Sequence, residues 1–256
     1  MIQFRANVFS ESLGHCTSVT VLLPQTTGGQ IGLSGMVRTA TPVLYLLHGL
    51  SDDDTIWLRR TSIERYASEY GLAVVMPDAG RSFYCNEVHG ERYWDWVSQE
   101  LPRLVAETFQ VSTAREDTFV AGLSMGGFGA FKLALRQPGR FAAAGSLSGC
   151  LDMASSPRSP EFMTEPSPIW GEQPIRGTGD DLVHLVGQAD PAGLPRLWLT
   201  CGTEDRLASH NHTFAEAAGH AGVPVVVDWA PGDHEWGYWD AKIQQFLRLA
   251  LGSTAS

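Results

Sequence analysis

The sequence predicts an α/β fold: a mostly parallel central sheet with helices on both faces and an antiparallel hairpin at its N-terminal edge. Three observations carry this. Short apolar runs recur at 43–47, 72–76, 118–121, 141–147, 196–200 and 223–229. Their apolarity is largely continuous rather than alternating, which marks strands covered on both faces, as in a parallel sheet. Stretches with helical spacing alternate with these runs, which predicts parallel pairing and right-handed crossovers. Finally, two β-prone runs, 2–10 and 16–24, flank a turn at Gly14 and read as a hairpin. A chain of 256 residues, 43% hydrophobic and 18% charged, suits one large α/β domain or two small ones, with enough chain to bury a core.

After the hairpin, 25–41 is rich in Gly and Thr and reads as a loop. The run 43–47 ends in His48-Gly49-Leu50. Gly49 lets the backbone turn there, and the N–H of Leu50 becomes a candidate hydrogen-bond donor to a reacting oxygen. His48 is read as structural. Asp52, Asp53 and Asp54 lack the alternating ligand pattern of a hard-cation loop, so they read as a solvated turn and helix N-cap. Residues 55–70 are helical with a break near 60–62. The strand at 72–76 leads into a mixed loop at 81–91, where His89 is a candidate border of a pocket. In the helix at 93–109, Trp96, Val97, Leu101, Leu104 and Val105 recur at helical spacing.

The stretch 118–130 is an apolar run, then Gly122-Leu-Ser-Met-Gly126, then the start of a helix. This is the strand, sharp turn and helix of a nucleophile elbow, with Ser124 at its apex and the N–H of Met125 aimed at the reacting oxygen. Read structurally, it is a glycine-rich turn packing a helix on a sheet. A phosphate loop is excluded, because no Gly-Lys-Ser/Thr follows.

Residues 148–195 break the rhythm with Ser, Pro, Gly and Asp, and carry Trp170 and a short helix at 181–187. A loop of that length after a strand's C-terminal end reads as a partial lid or pocket wall.

A serine needs a base, and the base an orienting acid. Asp205 follows the 196–200 strand and His234 follows the 223–229 strand, so Ser124, Asp205 and His234 would emerge at one sheet edge in the order Ser, Asp, His. Glu204 is the nearest rival acid; Asp233 and Asp190 are poorer ones. His210, His212 and His220 lie on or beside a helix and read as surface or packing residues.

Several of these stretches together resemble a known family: residues 44–50 through His48-Gly49, Glu100-Leu-Pro102, the elbow at 121–130, and Gly232-Asp-His-Glu-Trp236. The chain resembles the esterase D/putative esterase family, and within it the small bacterial tributyrin esterases. S-formylglutathione hydrolases and one-domain feruloyl and acetyl-xylan esterases are close to these. The resemblance implies an α/β-hydrolase fold over 1–256, with a lid-like insertion at about 150–195. It implies a Ser124–Asp205–His234 triad and oxyanion donors from Leu50 and Met125. It also implies action on short acyl esters without cofactor, and oligomers are common in the family. Trp170, Trp236 and His89 are the candidate substrate-binding residues. The same triad would serve an S-formylglutathione hydrolase or an acyltransferase.

A net charge of −10 disfavours nucleic acid, no apolar run reaches membrane-spanning length, and no His/Cys/carboxylate spacing suggests zinc. The four cysteines, Cys16, Cys85, Cys150 and Cys201, are scattered and read as buried free thiols. No basic segment followed by an apolar core opens the chain, so a cytoplasmic location is expected.

Overall fold

In a computed structural model, residues 1–26, 29, 40–155 and 168–252 are described. Strands β1 (Ile2–Ser10) and β2 (His15–Leu23) form the expected hairpin, paired from Ile2↔Leu23 to Ser10↔His15. Gly14 turns it with φ 72°. Glu100 holds that turn from below, accepting from the Ser10 hydroxyl at 2.7 Å and from the N–H groups of Glu11 and Ser12 at 2.8 and 3.0 Å.

β3 (Val43–Leu47) leads to helices α1 (Ile56–Arg60) and α2 (Ile63–Tyr70), separated where the sequence predicts a break. β4 (Ala73–Pro77) follows. The helix expected at 93–109 is α3 (Tyr93–Asp95), a π-helical turn at Trp96–Glu100, and α4 (Leu101–Thr108). The chain continues through β5 (Thr118–Leu123), α5 (Met125–Arg136), β6 (Ala143–Leu147) and α6 (Leu182–Gly187). It closes with β7 (Arg196–Gly202), α7 (Ala208–His220), β8 (Val225–Ala230) and α8 (Trp236–Leu251). The eight strands form one sheet in the order β1-β2-β4-β3-β5-β6-β7-β8. β2 meets β4 antiparallel, and β3 to β8 run parallel.

The continuous apolar runs have a simple origin. Every residue of β3 to β6 is buried. In β3, Val43, Tyr45 and Leu47 join the core on one face, with Leu101, Val105 and Phe131. Leu44 and Leu46 join the core on the other, with Ile63, Ile243 and Phe246. Side chains alternate along a strand, so a strand covered twice has no polar side to show. Among the described residues no helix is long and apolar enough to cross a membrane.

The acidic turn is not wholly solvated. Asp53 does act locally, accepting from the N–H and hydroxyl of Thr55. Asp54, however, is 1% exposed. Both oxygens of its carboxylate face Arg5, at 3.0 Å each, and it also accepts from Ser18 and Thr20 at 2.8 and 2.6 Å. Four charged or hydroxyl donors replace the water that burial removes. Of the cysteines, Cys85, Cys150 and Cys201 are buried as expected, whereas Cys16 is exposed at the start of β2; all four are unpaired. The insertion contains the expected helix as α6; its residues 156–167 lie outside the described residues.

Candidate active site

β5 ends at Leu123 and α5 begins at Met125, so Ser124 must make the whole turn. It does so with φ 52° and ψ −115°, a conformation that a side chain adopts only at a cost in strain. Crowding explains the flanking glycines. A Cβ on Gly122 would lie 2.4 Å from the Gly126 oxygen, and one on Gly126 would lie 2.4 Å from the Leu47 oxygen. Ser124 is anchored by its N–H to the Leu147 carbonyl at 2.9 Å, and its carbonyl accepts from Phe128 and Cys150. Its hydroxyl lies 3.9 Å from Cys150 Sγ.

Asp205 follows β7 and His234 follows β8. His234 Nδ1 stands 2.9 and 3.1 Å from the two Asp205 oxygens. An ionised carboxylate only accepts, so Nδ1 carries the proton and Nε2 is left to act as a base. Burial pushes the Asp205 carboxyl up. The His234 hydrogen bond and charge, the Leu207 N–H and the Ser148 hydroxyl more than offset this and hold it below the usual carboxylate range. The Leu207 N–H reaches Asp205 Oδ1 at 2.8 Å. The rival acids are engaged elsewhere: Glu204 accepts from the Gly232 N–H, Asp233 from the His234 N–H and Asp190 from the Ala192 N–H. Among the described residues, Ser124 Oγ and His234 are not joined by a hydrogen bond.

His234 stands edge-on to the Trp239 ring, with centroids 4.8 Å apart. Trp239 meets Trp236 at 5.2 Å, and Trp236 meets Trp57 at 5.3 Å, each edge to face. Trp236 is thus a half-buried link in an aromatic row beside the imidazole. Trp170 is buried against Phe83, with its indole N–H on Asp180 at 2.8 Å. His89 is exposed on the loop that pairs with the insertion through Val88 N–H to Ile169 and His89 N–H to Pro168.

Leu50 lies on the loop after β3 and Met125 at the first position of α5. Among the described residues, no hydrogen bond outside the helices and strands engages either N–H. A first-turn helix N–H has no acceptor within its own helix. His48 is 1% exposed. Its Nε2 accepts from the Ala79 N–H at 3.0 Å, which puts the proton on Nδ1, 2.7 Å from the Gly49 carbonyl. Both ring nitrogens are therefore used in shaping this loop, in keeping with a structural role.

Sequence reasoning missed Ser148 and Cys150. Ser148 directly follows β6, one step past the Leu123↔Leu147 pair, and like Ser124 has a positive φ, 50°. Its hydroxyl accepts from the Trp239 indole at 3.1 Å and helps keep Asp205 charged. Cys150 packs on Ser124; burial pushes its thiol up to about 12, so it stays protonated. A small polar residue just after the strand next to the elbow was the available signal. Among the described residues no group of three or more His, Cys, Asp or Glu side chains could hold a metal ion.

A family model described as "Putative esterase" matches residues 10–249. The chain belongs to that family. It is an esterase-type serine hydrolase with the α/β-hydrolase fold. Within the wider fold, the chain is similar to the fluorophosphonate-binding serine hydrolase F (FphF) of Staphylococcus aureus, solved with substrate bound. The two are 33% identical over 98% of each chain, with a TM-score of 0.88. It is also similar to the S-formylglutathione hydrolase FrmB of Staphylococcus aureus, at 34% identity over 98% of each chain and a TM-score of 0.85. An acetyl esterase of Caldicellulosiruptor saccharolyticus is 26% identical over 95% of this chain and 96% of its own.

Proposed function

We propose that this esterase hydrolyses short-chain acyl esters, acetyl to butyryl, through an acyl-enzyme on Ser124, with sugar acetates and feruloyl esters as further candidates. The observation that carries the reading is the convergence at one sheet edge of Ser124, on a strained turn, with the Asp205–His234 pair. In the proposed reaction His234 Nε2 takes the Ser124 proton as Oγ attacks the ester carbonyl. Asp205 holds the imidazole in the needed tautomer and stabilises the imidazolium that forms. The N–H groups of Leu50 and Met125 receive the oxyanion, each worth about 3 kcal/mol in comparable sites. His234 returns its proton to the leaving alcohol, and water then releases the acyl group by the same route. The Ser124–His234 hydrogen bond closes when substrate binds, since such bonds are often long in empty sites.

In this reading one hydrolase domain spans the chain, and the segment at about 150–195 partly covers the pocket. Of the substrate-binding candidates, Trp236 is best placed, in the aromatic row beside His234. Trp170 and His89 belong to the insertion and its partner loop. Unpaired thiols suit a reducing compartment, which favours the cytoplasm.

The likeness to FrmB favours a second reading, a thioesterase acting on S-formylglutathione. A panel of formylglutathione against acetyl, butyryl and feruloyl esters separates the two by kcat/KM. Ser124→Ala tests the mechanism common to both. It should abolish p-nitrophenyl butyrate turnover and labelling by a fluorophosphonate while leaving the thermal melt in place. Turnover surviving in the variant would overturn the assignment of Ser124.

A further inference from the structure

The opposite end of the sheet holds a cavity of about 300 Å³ whose walls include Tyr45, Pro102, Arg103, Ala106, Val111 and Arg140. It lies at Thr118, where β5 begins, whereas Ser124 stands where β5 ends. A six-residue strand separates them by roughly 20 Å.

Its phenolic and cationic groups are short of partners. Tyr45 is 6% exposed, and among the described residues its hydroxyl makes no hydrogen bond, although it lines the cavity. Burial pushes that hydroxyl up to about 12, against the neighbouring charge of Arg140, so at neutral pH it is a donor. The Arg140 guanidinium is half-buried and donates to the Ser98 carbonyl. Among the described residues neither it nor Arg103 has a carboxylate within ion-pair distance. Burial lowers the Arg140 pKa, the sign of a cation short of compensation. No Asp or Glu lines the cavity, on a chain whose net charge is −10. An uncompensated, partly desolvated cation is costly, and a planar guanidinium matches a carboxylate through two parallel hydrogen bonds. Pro102, Ala106 and Val111 add an apolar wall that a fully hydrated inorganic anion would not use.

We propose that this cavity binds a small monocarboxylate, with its head group on Arg140, Tyr45 and Arg103 and its short alkyl body against Pro102, Ala106 and Val111. The test is calorimetric titration of the full chain with sodium butyrate at neutral pH, alongside inorganic phosphate. Butyrate should bind, and more tightly than phosphate. Ser124→Ala, at the far end of the sheet, should leave butyrate affinity unchanged. Arg140→Gln should weaken it about tenfold or more, by loss of a charged hydrogen-bond donor. Tyr45→Phe removes only the hydroxyl and should weaken it about fivefold, with a thermal melt showing that this variant folds. Absence of butyrate binding, phosphate binding as tightly as butyrate, or unchanged affinity in Tyr45→Phe and Arg140→Gln overturns the proposal.

Discussion

Asp54 and Asp205 are both nearly inaccessible, at 1% and 3% exposure, and both carboxyls are held below the usual range against the upward push of burial. Each faces one cationic or basic side chain and is helped by nearby hydroxyls. The partners differ in kind. Asp54, under the hairpin, faces Arg5, which stays charged at any pH the protein meets. Asp205, on the loop after β7, faces His234, an imidazole whose second ring nitrogen can accept and release a proton. The first arrangement can only hold β1 and β2 to the loop before α1. The second leaves Nε2, among the described residues, without a hydrogen bond at the sheet edge that also carries the strained Ser124, so it is free to accept a proton. Burial and pairing alone therefore do not single out a candidate catalytic carboxylate; a partner that can pass a proton on does.

The largest test exchanges acceptor for amide at each site. In Asp205→Asn the imidazole loses the partner that holds its tautomer, and kcat should fall roughly 10⁴-fold with the thermal melt nearly retained. Asp54→Asn should leave kcat within about twofold. Steady-state kinetics on p-nitrophenyl butyrate checks both. A mild loss in Asp205→Asn, or a large one in Asp54→Asn, would erase the distinction.

Stability should show the reverse weighting. Asp54→Asn puts an amide NH₂ against Arg5, Ser18 and Thr20, all of them donors. It should cost about 1–3 kcal/mol, read as a lower urea midpoint at unchanged slope.

These two carboxylates also show what a sequence does and does not reveal. The strands of the parallel sheet were legible because a doubly covered strand leaves a continuous apolar run, as at Val43–Leu47. Ser124, Asp205 and His234 were legible as candidates because each follows its own strand, so topology alone brings them to one edge. Asp54 was misread because its partners are remote: Arg5, Ser18 and Thr20 lie 49, 36 and 34 residues away. Locally it is one of three adjacent acids, and local logic assigns it to water. Ser148 was missed for the same reason, since its Trp239 partner is 91 residues away. The π-helical turn at Trp96–Glu100 carries an apolar spacing that suits an ordinary helix equally well.

A smaller effect follows from pH. Because the folded values of both carboxyls are depressed, each adds stability that is fully present above the unfolded value near 4. That stability is lost as pH falls through the folded value. The gap in unfolding free energy between wild type and Asp54→Asn should therefore be widest at pH 7 and shrink as pH drops below about 4. A gap that stayed constant with pH would mean that the Asp54 charge contributes nothing and that packing alone holds the hairpin.

The smallest expected effect sharpens the comparison from the Asp205 side. Ser148 accepts from Trp239 and helps keep Asp205 charged, so it ties the carboxylate to the ring that His234 packs against. Ser148→Ala removes the hydroxyl but leaves the His234 and Leu207 bonds to Asp205. The loss should be modest, about three- to tenfold in kcat, the size of one neutral hydrogen bond. KM should hold, because Ser148 acts through Asp205 rather than on substrate. Ser148→Thr, which keeps the hydroxyl, should recover part of the rate. A rise in KM with kcat unchanged would instead place Ser148 in the substrate pocket and detach it from the acid.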